Sequence, residues 1–167
     1  MKNIVKRFWP LLAVGLLAAG ILTGLLIYNA RSTPQRAVEG YLRASLQYDA
    51  DGLIKYASEY QLTLLKGNDP EMDTDTLRKT LRAGYEQADD YREKGKITFQ
   101  SEVGELILPG NAEFDKLLEN YAFKADPSAA ESFTLVTAHC YVDGKLHRTY
   151  FVYAVQCNHK WYYGFTA

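Results

Sequence analysis

All three histidines and both cysteines of the chain fall in one stretch, HCYVDGKLHRTYFVYAVQCNH, from His139 to His159. Imidazole and thiolate are the donors of structural zinc sites, four at a time and each within about 2.3 Å of the ion. A Cys beside a His is also the pair from which an activated thiol nucleophile is built. Two cysteines in an exported domain suggest a third reading, a disulfide. Spacing decides among the three. Asp143-Gly144 lies between apolar, β-branched and aromatic runs, which is the strongest short hairpin signal. A two-residue turn there pairs Val142 with Lys145, Cys140 with His147 and His139 with Arg148. Neighbouring residues of a strand point to opposite faces, so His139 and Cys140 cannot bind one ion together. Cys157 falls about 33 Å beyond His147 along the same strand. A disulfide needs Cα atoms within about 7 Å, so a Cys140–Cys157 bridge is excluded. Only Cys140 and His147 remain together, as cross-strand neighbours near the turn. Two ligands do not complete a tetrahedral site. The pair also lacks an orienting carboxylate and a glycine-rich turn for an oxyanion. The plainer reading, a satisfied pair on a half-buried sheet face, is preferred.

Other candidates yield to equally plain readings. The carboxylate pairs Asp49/Asp51 and Asp89-Asp90 sit at helix ends, where capping and the helix dipole account for them. Tyr141, Tyr150, Tyr153, Tyr162 and Tyr163 could line a ligand cleft. Strand propensity and core packing explain the same tyrosines. No catalytic, metal-ligating or cofactor-binding residue is expected, and no cofactor.

The elements that must position these residues follow from local signals. Thr33 as N-cap and Pro34 at the first helical position open a helix with Val38, Tyr41, Leu42, Ser45 and Leu46 on one face. After Asp49 to Gly52 a second helix is expected, with Leu53, Ala57, Tyr60 and Leu64 aligned and Gly67 at its end. Asp73 or Asp75 caps a third, running to about Lys94 with Leu77, Leu81, Tyr85 and Ala88 inward. The period then changes from 3.6 to 2: Ile97, Phe99, Ser101 and Val103 alternate as a strand. GELILPGN either extends it or forms a second short strand. Asn111 caps a helix carrying Phe114, Leu117, Leu118 and Tyr121. From about Phe133 the pattern is strand, turn, strand, turn, strand. Helices first and an antiparallel sheet last make an α+β domain. Which sheet face meets the helices depends on the second turn. If that turn is Asn158-His159, then Trp161, Tyr163 and Phe165 share a face with Tyr150, Val152 and Ala154; a three-residue turn flips them onto the face of Phe151, Tyr153 and Val155.

Residues 1–30 read differently. Lys2, Lys6 and Arg7 precede an uncharged run from Leu11 to Ile27, flanked by Trp9 and Tyr28. A helix from Trp9 to Tyr28 rises about 30 Å, the thickness of a bilayer core. The run is long for a cleaved signal, and Tyr28 stands where a cleavage site wants a small residue. An uncleaved single-pass anchor is expected, with the basic N-terminus cytosolic and residues 31–167 outside. Three of the 19 Lys and Arg and none of the 20 Asp and Glu lie in residues 1–30, leaving 16 against 20, or −4, beyond it. The charges are interspersed, which argues against a nucleic-acid partner.

Several of these residues resemble one family. Thr33-Pro34, the helix Val38 to Leu46, the break Asp49 to Gly52, Tyr56 to Ser58 and the closing Lys160-Trp161 are similar to the bacterial lumazine-binding-like, domain-of-unknown-function branch of the nuclear-transport-factor-two-like (cystatin-like cone) superfamily. The segment Gly104 to Ala130, with its extra helix, departs from the simplest members. The resemblance implies N-terminal helices packed on a curved antiparallel sheet around a cone-shaped cavity, placed outside a bacterial membrane on an N-terminal anchor. Some relatives are isomerases or cyclases using an Asp or His base in the cavity, but no residue here matches such a position. Others are non-catalytic envelope subunits or parts of secretion and conjugation channels. The expectation is therefore an extracytoplasmic binding or assembly module without catalysis, its partners being the membrane and either envelope proteins or a small apolar ligand. The oligomeric state is left open.

Overall fold

Thr33 and Pro34 start the first helix as their types predict: the Thr33 hydroxyl accepts from the Arg36 N–H at 3.3 Å. The computed structural model describes Ser32–Ala167, and there this helix, α1 (Pro34–Gln47), ends at Tyr48 in the left-handed region, φ 54°. It is followed by α2 (Ala50–Tyr56), α3 (Glu59–Lys66) and α4 (Thr74–Gln87). Strand β1 (Ile97–Ile107), helix α5 (Ala112–Ala122) and strands β2 (Ala130–Val142), β3 (Lys145–Cys157) and β4 (Lys160–Thr166) complete the domain. The sheet is antiparallel with order β1-β2-β3-β4, so the fold is α+β with helices packed on a four-stranded sheet. The apolar run Leu11–Ile27 lies outside the described residues. Among the described residues no helix is long and apolar enough to cross a membrane.

Two helices differ from expectation. The single helix expected from Leu53 to Leu64 is broken at Ala57-Ser58. Ala57 instead forms a bridge to Tyr163, and the Ser58 N–H donates to Tyr163 O at 3.0 Å. The Ser58 hydroxyl then caps α3 by accepting from Gln61 N at 3.4 Å. The break seats Leu53 and Ala57 in the core and leaves Leu64 46% exposed. Helix α4 stops at Gln87 and not near Lys94; one 3-10 turn, Asp89–Tyr91, follows. Carboxylates are unfavourable at a helix C-terminus, and Asp89 turns to pair with Arg92 at 3.2 Å.

The Asp143-Gly144 turn forms, with φ of 50° and 79° and Val142 opposite Lys145. Beyond it the pairing departs from a plain hairpin. A β-bulge follows Tyr141, which pairs with Leu146, while Cys140 pairs with Arg148 and His139 with Thr149. His147 is the extra residue, so the expected pairing of Cys140 with His147 does not form. A one-residue slip exchanges the two faces of a strand. Without the bulge Phe151 would stand opposite Val136, under α1. With it, Val152 and Ala154 take those places, and both are fully buried.

The sheet is buried on both faces. Val38 and Leu42 of α1 pack on Val136, Ala138, Val152, Ala154 and Tyr163. On the other face, Phe114, Leu117 and Tyr121 of α5 pack on Phe133, Val155, Cys157 and Phe165. Helix α1 therefore covers one face, while Tyr60 of α3 reaches the other beside Tyr121 and Phe165. Of the two turns left open, the two-residue Asn158-His159 form is present, with φ of 51° and 60°, and it puts Trp161 and Tyr163 with Val152 and Ala154. Phe165 does not join them. A second bulge lies on β4, where Gly164 is the extra residue opposite Tyr153 and Ala154 of β3, and it sends Phe165 to the α5 face. Gly164 is required there, because a Cβ would lie 2.5 Å from Tyr153 O. A third irregularity interrupts β1 between Val103 and Leu106, where the buried Thr134 hydroxyl lies 3.1 Å from Gly104 O and 3.0 Å from Glu105 O.

Phe133 is the centre of the α5-face cluster, with ring centroids 5.4 Å from Phe114, 6.1 Å from Tyr121 and 6.2 Å from Phe165. Phe133→Ala is expected to destabilise the domain by about 3–5 kcal/mol, read from the urea midpoint at unchanged slope.

Candidate functional site

The soft ligands of the opening stretch are dispersed. Cys140 is buried on the α1 face; its neighbours across the ladder are Phe99 and Arg148. His139 points to the other face, where its Nδ1 lies 2.9 Å from the Thr149 hydroxyl. His147 is exposed in the bulge. His159 stands on the second turn, 3.3 Å from the Glu131 carboxylate. Cys157 ends β3 on the α5 face, roughly 30 Å from Cys140 along the ladder. Both cysteines are free and buried. Among the described residues no three His, Cys, Asp or Glu side chains converge to hold a metal ion.

A partly enclosed group of titratable side chains gathers at Cys157. A cleft of about 220 Å³ is lined by Glu59, Leu62, Tyr121, Ala129, Cys157 and Tyr162, among others. Three features position these side chains. The helix break at Ala57-Ser58 aims the start of α3 at the sheet. Helix α5 lays Tyr121 over β3. The Asn158-His159 turn sets Tyr162 beside Cys157. The Tyr121 hydroxyl lies 3.8 Å from the Cys157 sulfur, a distance at which either atom can donate. Glu59 accepts from the Asp126 N–H at 3.3 Å, which ties the loop after α5 to α3.

The electrostatics of this cleft do not make a nucleophile. Burial pushes the Cys157 thiol up; the hydrogen bond with Tyr121 opposes it in part, and Glu131 and Glu59 add smaller upward pushes. Burial also raises Tyr121, with Cys157 adding to it. Both groups are therefore neutral near pH 7. A reactive cysteine needs the reverse, a thiolate held by positive charge. The cleft can receive a group that is apolar on one side and accepts or donates one hydrogen bond on the other.

A second, shallower depression of about 160 Å³ is lined by Tyr48, Arg82, Tyr85, Glu86, Asp89 and Arg92. Its arginines are already paired: Arg92 with Asp89, and Arg82, together with Arg78, with Asp51. Those two arginines, Arg82 first, hold the Asp51 carboxyl below its usual range. The stack of Tyr48 on Tyr85, centroids 4.8 Å apart, forms its apolar wall.

The space between α1 and the sheet is filled. Val38, Val136 and Val152 are each 0% exposed, and Tyr41 stacks on Tyr163 with centroids 4.0 Å apart. The Tyr41 hydroxyl donates to the Gln61 side-chain oxygen at 3.1 Å, and Gln61 Nε2 donates to Gly164 O at 2.8 Å. Burial raises Tyr41, and pushes Tyr163 up to about 12.

Of the tyrosines noted in the sequence, Tyr162 reaches the cleft and Tyr163 the core, while Tyr150 packs beside Arg148. The pairing of Cys157 with Tyr121 was not foreseen, because a helical residue 36 positions earlier meets the strand only through tertiary packing. The helix break that builds the cleft did leave a signal. Ser58 followed three residues later by Gln61 is the spacing of a capping box.

Two measurements check these assignments. Neither Cys140 nor Cys157 is expected to react with a bulky thiol reagent in the folded domain. Both are expected to react after denaturation, and peptide mapping should find no bridge between them. Alkaline titration followed by tyrosine absorbance should find Tyr163 ionising late, since an ordinary phenol ionises near pH 10. Tyr163 ionises near that pH in the unfolded chain and about 12 in the folded one. Stability linked to Tyr163 is therefore full below pH 10 and is lost as pH rises toward 12.

Comparison with protein-family models, with curated proteins and with solved structures returns no match to this chain.

Proposed function

We propose that the chain is a single-pass, membrane-anchored module of the bacterial cell envelope, whose extracytoplasmic domain binds or assembles and does no chemistry. The anchor is Leu11 to Ile27, with the Lys2, Lys6 and Arg7 side cytosolic. The domain is the cone-type fold that the residues from Thr33 to Ser58 and the Lys160-Trp161 pair resemble. The observation that carries the reading is the filled interior. An isomerase or cyclase of that kind needs an open cavity in which titratable groups converge. Here Val38, Val136 and Val152 close the space between α1 and the sheet. A part in a secretion or conjugation channel is one form such an assembly role takes.

The cleft at Cys157 favours a partner's side chain over a free small ligand. Pockets for drug-sized molecules run from about 300 to 1,000 Å³. At about 220 Å³ this one is smaller, and the Tyr121 and Cys157 groups that meet in it are neutral near pH 7. A single apolar or aromatic side chain with one hydrogen-bonding atom matches its volume and chemistry.

The placement is tested on intact cells. A thiol introduced at the exposed Glu71 (Glu71→Cys) is expected to react with a membrane-impermeant reagent. One introduced at Lys2 (Lys2→Cys) is expected to react only after the membrane is opened. The reverse pattern inverts the orientation. A mature chain whose intact mass lacks residues 1–30 removes the anchor altogether.

A further inference from the structure

Ser32, the first described residue, is held in place. Its hydroxyl accepts from the Trp161 N–H at 2.7 Å and reaches Trp161 O at 3.4 Å. Trp161 is the second residue of β4 and pairs with Gln156, which pairs with Ser132 near the start of β2. Ile107, the last residue of β1, pairs with Phe133. The chain thus enters the domain at one end of the sheet, where β1 and β3 finish and β2 and β4 begin. From β4 to β1 this end is only about 15 Å wide.

Three large apolar side chains stand in solvent at that end. Leu106 is 53% exposed, Leu108 51% and Phe123 81%. Leu106 and Leu108 belong to the end of β1 and the residue just past it. Phe123 lies two residues after Tyr121, whose hydroxyl meets Cys157 at the end of β3. The charges nearby are of both signs, with exposed Lys124 and Lys160 beside Asp126 and Glu131. They provide no basic field for anionic headgroups, so attraction there is apolar.

The tether supplies the occupant. Five residues lead from Ile27 to Ser32 and span at most about 18 Å whatever their conformation. The headgroup layer on one side of a bilayer is roughly 5–8 Å thick. We infer that this end of the domain docks on the bilayer carrying the anchor, with Leu106, Leu108 and Phe123 at the boundary of headgroups and acyl chains. The inference rests on the anchor proposed above. It deepens that reading by fixing which end of the domain faces lipid. The Asp143-Gly144 hairpin, with Leu146 58% exposed, then points away from it.

The test uses the full-length chain in vesicles of phosphatidylcholine and phosphatidylglycerol. An environment-sensitive fluorophore is attached at Leu106→Cys, Leu108→Cys or Leu146→Cys, the native thiols being buried. Flotation is read first and quenching second. With the chain co-floating, nitroxide lipid is expected to quench the Leu106 and Leu108 probes about threefold more than the Leu146 probe, as insertion of 5–10 Å requires. Iodide in the water should show the opposite order, and raising the salt should change neither. Equal quenching at all three positions overturns the docking and leaves the anchor standing. Protection of the Leu106 and Leu108 probes from both quenchers also overturns it, and would mean that a second copy or another protein covers this end. A chain that fails to float removes the anchor and the docking with it.

Discussion

Val152 and Val155 are three residues apart on β3, face opposite sides of the sheet, and are both 0% exposed. A strand buried on both sides must be covered on both sides. Helix α1 supplies one cover through Val38 and Leu42, and α5 supplies the other through Phe114, Leu117 and Tyr121. The arrangement depends on ladder register. Under α1 the sheet presents small residues, Ala138 and Ala154, that let the helix approach closely. A slip of one residue would put Phe151 and Tyr153 there instead, and no rotamer change restores the space. The extra residue at His147 prevents that slip. A histidine that reads as a ligand in the sequence therefore serves the packing of a core residue several positions along the strand.

The same two-sided burial decides what the reactive side chains do. Cys140 goes under α1 and Cys157 under α5, so the two thiols lie on opposite faces and at opposite ends of the sheet. Burial favours the uncharged form of each. Tyr41, Tyr121 and Tyr163 are likewise held neutral. The interior contributes packing and hydrogen bonds, with its ionisable groups silent. Variation in charge and shape is left to the surface.

Local signals in the chain were the legible ones. Thr33, Asp73 and Asn111 cap helices because a short polar side chain reaches its own helix's free N–H groups. Asp143-Gly144 makes its turn because both residues tolerate positive φ. The α+β order and the alternation from Ile97 follow from periodicity alone. Tertiary choices were less visible. Ala57 fits either a helix interior or a break, and its bridge to Tyr163 decides it. Nothing near Cys140 signals a bulge; the size of Val152 and Ala154, far along the strand, selects it. Phe114, Leu117 and Tyr121 mark an inward face of α5, but not which side of the sheet it meets. The site at Cys157 was hidden for the same reason, since it exists only once α3, α5 and the last turn converge.

The interruption of β1 between Val103 and Leu106 bears on behaviour in a crowded compartment. β1 is an outer strand of eleven residues, long enough to recruit a stranger's strand into a growing fibril. Gly104 and Glu105 fall out of register at its middle, and their carbonyls are drawn toward the Thr134 hydroxyl. An incoming strand would find an even row of bonding groups only as far as Val103. It would meet the exposed carboxylates of Glu102 and Glu105 on the way. The kink keeps a long free edge from acting as a template.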